Sequence, residues 1–391
     1  MTVRHYIKIF DKLILCSINT SISVCSCHTE KNDLTLEKKK KGKQKATGIK
    51  RVYTHNNILV FDGNQKGNYS EKINRKNRPG GFCGFVRRCN MKEGLLKEIA
   101  AHGDRGAIVP ISRFDELKSE IEALKTDKHN MFINWMAKYM GMPNGLDFQP
   151  RSLISVITSS PKLMFGFTYH GKLIHFMVPP QYLDMDLRDN EVLQYINAYL
   201  EPYGHRAAIF EKLPQKLLAV HSGLGQYGRN NLCYHEEYGS YIRILSYISD
   251  LPCDEADWFP IRRMDACENC RACVTACPTK AIESDHRIIN TSICLTMMNE
   301  VPGEFPEWVP ENAHNSLIGC MKCQDCCPAN AHNKDNIIKG VTFSEEETKE
   351  LLMHKDDEPY SDSLATKIKV SGFFTDFLKV LPRNLAVLLQ M

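Results

Sequence analysis

Apolar residues at helical spacing mark several helices in the middle of the chain. The clearest buried face follows Ser112, whose side chain is expected to cap its helix. That face consists of Phe114, Leu117, Ile121 and Leu124. The same reasoning predicts helices over 91–101, 131–140 and 215–221, and a helix through Leu200 that Asp189 or Asn190 caps.

Short apolar runs between these helices predict strands. They fall at 107–111, 153–158 and 207–210, with two more around a turn at 236–239. The runs 163–169 and 172–178 predict a hairpin that turns at His170-Gly171. Because strands and helices alternate, the predicted fold class is α/β (α+β), with a sheet covered at least in part on both faces.

Four regions are predicted along the chain. An α/β domain spans 91–260, a cysteine-rich domain 261–335 and a helical tail 336–391, which is expected to pack on the body. In the tail, Ser344 and Glu347 predict a capping box, and Asn384 is expected to cap a last helix. Residues 1–90 are expected to be disordered, or to lie upstream of a true start at Met91.

Charge separates the first region from the rest. Residues 1–90 carry 19 Lys and Arg against 6 Asp and Glu, and the remainder carries 31 against 40. The part with domain-like patterning is therefore acidic, and it lacks the overall charge of a nucleic-acid-binding protein. A basic N-terminal tail for nucleic acid is a less favoured interpretation of residues 1–90.

Two cysteine runs carry the strongest chemical signal. Cys267, Cys270, Cys273 and Cys277 follow the spacing C-x2-C-x2-C-x3-C-P, which holds iron–sulfur clusters. In this pattern the fourth cysteine binds the other cluster of a pair. A second run, C-x2-C-x3-C-P, contains Cys320, Cys323 and Cys327.

Two complete 4Fe-4S ligand sets result when each run contributes ligands to both clusters. The first is Cys267, Cys270, Cys273 and Cys327. The second is Cys277, Cys294, Cys320 and Cys323. Cys326 is left over, and zinc ribbons or disulfide scaffolds fit these spacings poorly. Free thiolates indicate a reducing, cytoplasmic setting, and no apolar run approaches the roughly 18 residues of a membrane span.

A glycine-rich segment precedes the cysteines. Gly223, Gly225 and Gly228 match the G-x-G-x-x-G pattern of dinucleotide-binding loops. That loop should follow a strand and open a helix, whereas this one follows a predicted helix and leads into strands. An NAD(P)-linked flavoprotein is therefore disfavoured, and the glycines indicate a sharp bend or a close approach of the backbone.

The order of these motifs resembles one superfamily. The segment from Gly223 to Asn231, Tyr238-Gly-Ser, Ser249-Asp-Leu-Pro252 and the crossed cysteines together resemble the epoxyqueuosine reductases and corrinoid reductive dehalogenases. The likeness covers residues 151–330. It implies a cobalamin-binding-type α/β domain, followed by a bacterial ferredoxin-like domain whose two clusters supply it with electrons.

The resemblance also implies site residues. The candidate corrinoid contacts are Gly223, Leu224, Gly225, Tyr227, Gly228, Arg229 and Asn230, the last three foremost. No D-x-H-x-x-G motif is present, so we expect base-off cobalamin without a protein histidine ligand. Glu211 stands near the place of the family's catalytic aspartate, although closer to the glycines. Tyr169 and Tyr182 are further candidates for the proton donor.

The leading hypothesis is an iron–sulfur reductase in which two clusters reduce a cobalamin. The substrate is expected to be a small molecule or nucleoside-like, and the electron donor an external low-potential protein such as ferredoxin or flavodoxin. A tRNA substrate is disfavoured, because the body is acidic and the chain ends before a long helical array. The alternative is a two-cluster electron carrier or redox partner that binds no corrinoid.

Overall fold

The computed structural model describes residues 51–54, 57–60, 80–129, 131–179, 182, 185–355, 358–372 and 375–390. Contacts divide the chain into two units, one of which is Ile22–Cys83, while the other includes Gly84–Met391. In the smaller unit, β1 (Arg51–Thr54) and β2 (Asn57–Val60) form an antiparallel pair. The predictions for residues 1–90 fall mostly on residues outside the described ranges.

The larger unit alternates helices with strands, as the sequence predicts. Its strands are β3 (Arg105–Pro110), β4 (Ser152–Ser159), β5 (Lys162–Tyr169), β6 (Lys172–Val178), β7 (Ala207–Ile209), β8 (Gln226–Tyr227), β9 (Cys233–Tyr234), β10 (Ile242–Ser249) and β11 (Ile337–Phe343). Its helices up to the cysteines are α1 (Gly80–Ala101), α2 (Arg113–Leu124), α3 (Met131–Tyr139), α4 (Met185–Leu200) and α5 (Gln215–His221).

The remaining helices lie in the cysteine-rich region and the tail. They are α6 (Ala272–Ala276), α7 (Leu295–Glu300), α8 (Lys322–Asp325), α9 (Glu345–Met353), α10 (Asp362–Ser371), α11 (Thr375–Leu378) and α12 (Leu381–Leu389). Within the described ranges, no helix is both long and apolar enough to cross a membrane.

The central sheet has the order β3-β4-β10-β7, and each neighbouring pair is antiparallel. Successive residues of β4 point to opposite faces, as strand geometry requires. Ile154 packs with α1 and α4 on one face, whereas Leu153 packs with α2 and α5 on the other. The predicted coverage of both faces is therefore confirmed, although the strands pair antiparallel.

A second sheet joins the tail to the body. Its order is β11-β5-β6, with β11 parallel to β5 and the predicted hairpin between β5 and β6. His170 and Gly171 form the turn with positive φ angles of 48° and 69°. Phe165 and Phe167 pack against the tail helices, and Ser344 and Glu347 form the predicted capping box of α9. The tail thus shares a core with the body, as predicted.

Three predicted helix caps are wrong. Ser112 has helical backbone angles and makes no side-chain capping hydrogen bond. Helix α4 begins at Met185, so Asp189 lies inside it and pairs with Arg243 at 2.6 Å. Asn384 lies inside α12, where its amide donates to the carbonyls of Asn299 and Leu317, each at 2.8 Å. For Asp189 and Asn384, a tertiary contact outweighs the local capping preference.

Candidate functional site

The first predicted ligand set lies around one cavity. Its lining includes Cys267, Cys270, Cys273 and Cys327. Helix α6 carries Cys273, and Cys327 reaches the same cavity from the end of the second cysteine run. The fold therefore brings together the crossed set that the spacing predicts.

The second predicted set also converges. The thiols of Cys277, Cys294 and Cys320 lie close enough to raise the pKa of the Cys323 thiol electrostatically, although burial is the larger cause. The Cys277 sulfur accepts a hydrogen bond from the Ala281 N–H at 3.2 Å, and the Cys320 sulfur accepts one from the Asn315 amide at 3.3 Å. Such hydrogen bonds to sulfur are typical of cluster ligands.

Electrostatics favours a cation at each set. The pKa of Cys273 is raised to about 11, mainly by burial and in addition by the neighbouring Cys326 and Cys267 thiols. Burial likewise raises the pKa of Cys294 to about 11. Grouped thiolates therefore need the compensating charge that the iron atoms of a cluster supply.

A single metal ion fits these cysteines less well. Within the part of the chain that the structure describes, no three Cys, His, Asp or Glu side chains are close enough together to hold one ion. A four-iron cluster is larger than one ion, and its thiolate ligands stand correspondingly farther apart. Cys326 lies beside the first set, with its sulfur 3.7 Å from the Cys323 carbonyl oxygen.

Arg229 holds the loop of the first cysteine run. Its side chain is buried, and it donates to the carbonyls of Cys270 at 3.1 Å and Glu268 at 3.3 Å. It also donates to the carbonyls of Cys267 and Ser284. These acceptors occupy its guanidinium, so the geometry assigns Arg229 to the cluster loop. The prediction that Arg229 is foremost in contacting a corrinoid gains no support from these contacts.

Asn230 connects the two cysteine runs. Its side-chain amide donates to the Tyr234 hydroxyl at 2.9 Å and to the Cys323 carbonyl at 3.1 Å. Gly228, Arg229 and Asn230 all line the cavity of the first set. The end of the glycine-rich segment is therefore part of the cluster surroundings.

A larger pocket opens at the start of the glycine-rich segment. Its volume is about 380 Å³. The lining residues are Gly223, Leu224, Gly225, Gln226, Tyr234, His235, Glu236, Gly239, Met264 and Ala329. Three of the predicted corrinoid contacts, Gly223, Leu224 and Gly225, thus face this pocket. Tyr227 is instead half-buried in a core cluster with Leu224.

Close packing explains the glycine at position 225. A Cβ atom there would lie 2.6 Å from the Cys233 sulfur and 3.0 Å from the Tyr234 carbonyl oxygen. Any side chain would therefore push strand β9 away from the segment. The segment follows α5 and enters β8, which is the order that disfavours a dinucleotide loop.

His235 and Glu236 are pocket residues that the sequence analysis missed. The His235 Nδ1 atom accepts a hydrogen bond from the Glu237 N–H at 3.2 Å. Burial lowers the pKa of His235, and the nearby Arg105 lowers it further. The neutral ring therefore carries its proton on Nε2 and has no lone pair there for a metal.

The three predicted proton donors lie at separate places. Glu211 is exposed just after β7, and the Tyr169 ring packs at a tilt of 55° against His170, with ring centroids 4.2 Å apart. Tyr182 donates a hydrogen bond to Glu300 and packs near Gly319, beside the second cysteine set. Among the described residues, none of the three lines the larger pocket. Their catalytic role stays a prediction.

Comparisons with known proteins agree with the cysteine geometry. Residues 266–330 match the family described as the 4Fe-4S double cluster binding domain. An epoxyqueuosine reductase of Cyclobacterium marinum is 26% identical over 196 residues, which cover 42% of this chain and 58% of the relative. A tetrachloroethene reductive dehalogenase of Desulfitobacterium hafniense is 29% identical over 159 residues, or 38% of this chain and 26% of the relative.

Solved structures show a similar fold. Epoxyqueuosine reductase from Bacillus subtilis superposes with a TM-score of 0.57 at 19% identity, covering 77% of this chain and 82% of that chain. An epoxyqueuosine reductase solved with an epoxyqueuosine-modified tRNA-Tyr stem loop also has a TM-score of 0.57, at 19% identity and with 77% and 81% covered.

The curated matches are partial. The matched segments span only 58% of the Cyclobacterium marinum relative and 26% of the dehalogenase. The cluster domain itself is matched over its two cysteine runs, which supports two 4Fe-4S clusters. The chain therefore carries a 4Fe-4S double cluster binding domain, and its resemblance to epoxyqueuosine reductases and reductive dehalogenases is confirmed.

Proposed function

We propose that this protein is an iron–sulfur reductase whose two clusters deliver electrons to a cofactor in the larger pocket. One observation carries the proposal: Tyr234 lines both the larger pocket and the cavity of the first cysteine set. The two cavities therefore share a lining residue, which places the first cluster close to the pocket. A carrier that passes electrons to another protein needs no such pocket.

The pocket suits a ligand that carries amides. Its volume of about 380 Å³ lies toward the lower end of the roughly 300–1,000 Å³ typical of small-molecule sites. Gln226 and Glu236 offer side-chain hydrogen-bonding groups, and the backbone from Gly223 to Gly225 adds more. A corrinoid carries such amides around its rim, and its cobalt, when bound and reduced by two electrons, would supply a strong nucleophile.

The pocket histidine supports the base-off expectation. His235 presents an Nε2–H donor, so it can hydrogen-bond a corrinoid amide or a substrate but cannot coordinate cobalt in this tautomer. Electrons reach the pocket one at a time, and two of them with two protons complete a reduction. An external low-potential protein donor of the ferredoxin or flavodoxin class supplies these electrons.

Substrates of the relatives define the classes to test. The similar solved epoxyqueuosine reductase was captured with a modified tRNA stem loop, and the similar dehalogenase is named for tetrachloroethene. Because of the first relative, tRNA is again a candidate substrate for this chain, in addition to a nucleoside-like small molecule. We favour a nucleoside-type group as the substrate that this protein reduces, either free or within a tRNA stem loop.

Metal content tests the proposal most directly. Protein purified without oxygen from cobalamin-fed cells should contain about eight irons, from two four-iron clusters, and near-stoichiometric cobalt. Gln226→Trp, an exposed position that lines the pocket, should keep the iron and lose the cobalt. Gln194→Trp, at an exposed position of α4, is the matched control and should keep both.

The same measurement distinguishes the alternatives. Eight irons without cobalt, even after incubation with cobalamin, would favour the electron carrier. Zinc in place of iron would contradict both functions. With cobalt present, anaerobic turnover with reduced flavodoxin and an epoxyqueuosine-containing stem loop or nucleoside then identifies the substrate class.

A further inference from the structure

The last helix of the chain binds the loop between two predicted ligands of the second cysteine set. That loop runs from Cys294 to Cys320 and begins with α7, which follows Cys294 directly. The residues that bind it are Arg383 and Asn384 of α12. Helix α12 lies outside 266–330, the range that matches the double cluster domain. These contacts therefore come from a part of the chain that the family match does not include.

Arg383 holds the end of α7. Its guanidinium donates to the Met298 carbonyl at 2.8 Å and to the Val301 carbonyl at 2.9 Å, and also to the Gly303 carbonyl. The last carbonyls of a helix have no partner within it, and the helix dipole favours a cation there. The guanidinium also lies over the Phe305 ring, with its Cζ atom 3.9 Å from the ring centroid. Arg383 therefore fixes the place at which α7 ends and the loop turns.

Asn384 links the two arms of the loop. Its amide nitrogen donates to the carbonyls of Asn299 and Leu317, each at 2.8 Å, so both of its protons are used. Asn299 lies on the arm that follows Cys294, whereas Leu317 lies on the arm that leads to Cys320. Asn299 and Leu317 are fully buried, so water cannot replace the donor that joins them.

A second asparagine repeats this link within the loop. The Asn299 amide nitrogen donates to the Gly319 carbonyl, immediately before Cys320, at 2.7 Å. Its side-chain oxygen forms a hydrogen bond with His314 Nδ1 at 3.2 Å, and because that oxygen can only accept, the ring donates. The separation of Cys294 and Cys320 therefore depends on a series of buried contacts that starts in α12.

We propose that Arg383 and Asn384 are positioning residues that hold Cys294 and Cys320 at the separation that the second cluster needs. A cluster requires its ligand sulfurs at fixed places, and residues beyond the ligands orient them. The inference rests on the proposed function, because it takes Cys294 and Cys320 as ligands of one cluster. It does not require that a corrinoid is bound.

Arg383→Met tests this role, because methionine keeps an apolar side chain beside Phe305 and removes every donor. Purified without oxygen, the variant should hold about four irons instead of eight, or release about four to a ferrous chelator about tenfold faster than the wild type. The electron paramagnetic resonance spectrum of its dithionite-reduced form should match that of Cys323→Ser and differ from that of Cys270→Ser. Those two variants remove predicted ligands of the second and the first set.

Leu364→Ala is the control for a general loss of stability. Leu364 is fully buried in the core that the tail shares with β5, and its truncation removes packing but no donor to the loop. This variant should unfold at a lower temperature and still hold about eight irons at wild-type lability. Selective loss of the second cluster in Arg383→Met therefore reports on the loop contacts.

Two further variants cover the case in which Arg383→Met does not fold. Arg383→Lys keeps the charge and one donor group at the end of α7, so its second cluster should release iron at an intermediate rate. Asn384→Leu removes the other contact with a side chain of similar size, and it should also lose the second cluster selectively.

Wild-type iron lability in these variants, or equal loss of both clusters, would overturn the inference. The proposed function is tested separately by the iron and cobalt content of the wild type from the same preparation. A wild type with eight irons and cobalt, beside variants that keep all their iron, would refute the positioning role alone.

Discussion

Arg229→Met distinguishes the two roles that sequence and structure suggest for this residue. The wild-type guanidinium donates hydrogen bonds to four backbone carbonyls in or near the first cysteine run, those of Cys267, Glu268, Cys270 and Ser284. Methionine keeps much of the apolar stem and removes every donor. The change therefore tests the loop contacts with little change in packing volume.

The expected cost follows from the carbonyls left behind. A buried polar group that loses its partner costs about 1–3 kcal/mol. In this variant several carbonyls lose their donor at once, although some of them can form hydrogen bonds with water instead. We therefore expect the stability of the folded loop to fall by about 3–5 kcal/mol. A loss of that size is enough to open the loop and release the first cluster.

Iron content and iron lability provide the assay. Anaerobically purified Arg229→Met protein should hold about four irons instead of eight, or release about four rapidly to a ferrous chelator. Arg271→Met is the control, because Arg271 is exposed and its contact with Asp285 is 3.6 Å long. If Arg229→Met keeps all its iron at wild-type lability and loses only cobalt, Arg229 contacts the cofactor and the loop assignment is wrong.

Three further predictions concern other parts of the site. Burial raises the pKa of Glu300 to about 7, so its contribution to stability falls as pH rises through that value. Between pH 6 and 8 the wild type should lose about 1 kcal/mol that Glu300→Gln does not lose, measured by thermal unfolding. Cys326→Ser should retain all the iron, whereas Cys270→Ser should lose about half of it. Asn384→Ala should lower the free energy of unfolding by about 2–3 kcal/mol in urea, because two buried carbonyls lose their donor.

Sequence reasoning succeeds where a few neighbouring residues decide the structure. The cysteine spacings predict two clusters because each run must wrap a cluster of fixed size, and the matched double cluster domain supports two clusters, while the individual ligand sets stay a prediction. The alternating faces of β4 and the capping box at Ser344 follow from local geometry in the same way. These features need no knowledge of distant segments.

Sequence reasoning fails where contacts with a distant segment determine the structure. Asp189 is a residue type that often caps helices, but inside α4 its carboxylate forms an ion pair with Arg243 of β10. Arg229 lies in a family motif that gave no hint of its contacts with the carbonyls of the cysteine loop, and its contact with a corrinoid stays a prediction. No sequence pattern marks His235 and Glu236 as pocket residues, because they reach the pocket only when β9 packs beside the glycine-rich segment.

The two tyrosines show how the site combines these effects. Tyr182 was predicted as a proton donor from its place near paired strands, and the fold sets it against Glu300 beside the second cysteine set. Tyr234 carried no prediction, and the fold makes it a lining residue of both cavities. Since the Tyr182 hydroxyl lies beside predicted ligands of the second cluster, tuning of that cluster explains its placement more directly than proton donation to a substrate. An effect of Tyr182→Phe confined to the potential of the second cluster would support this role.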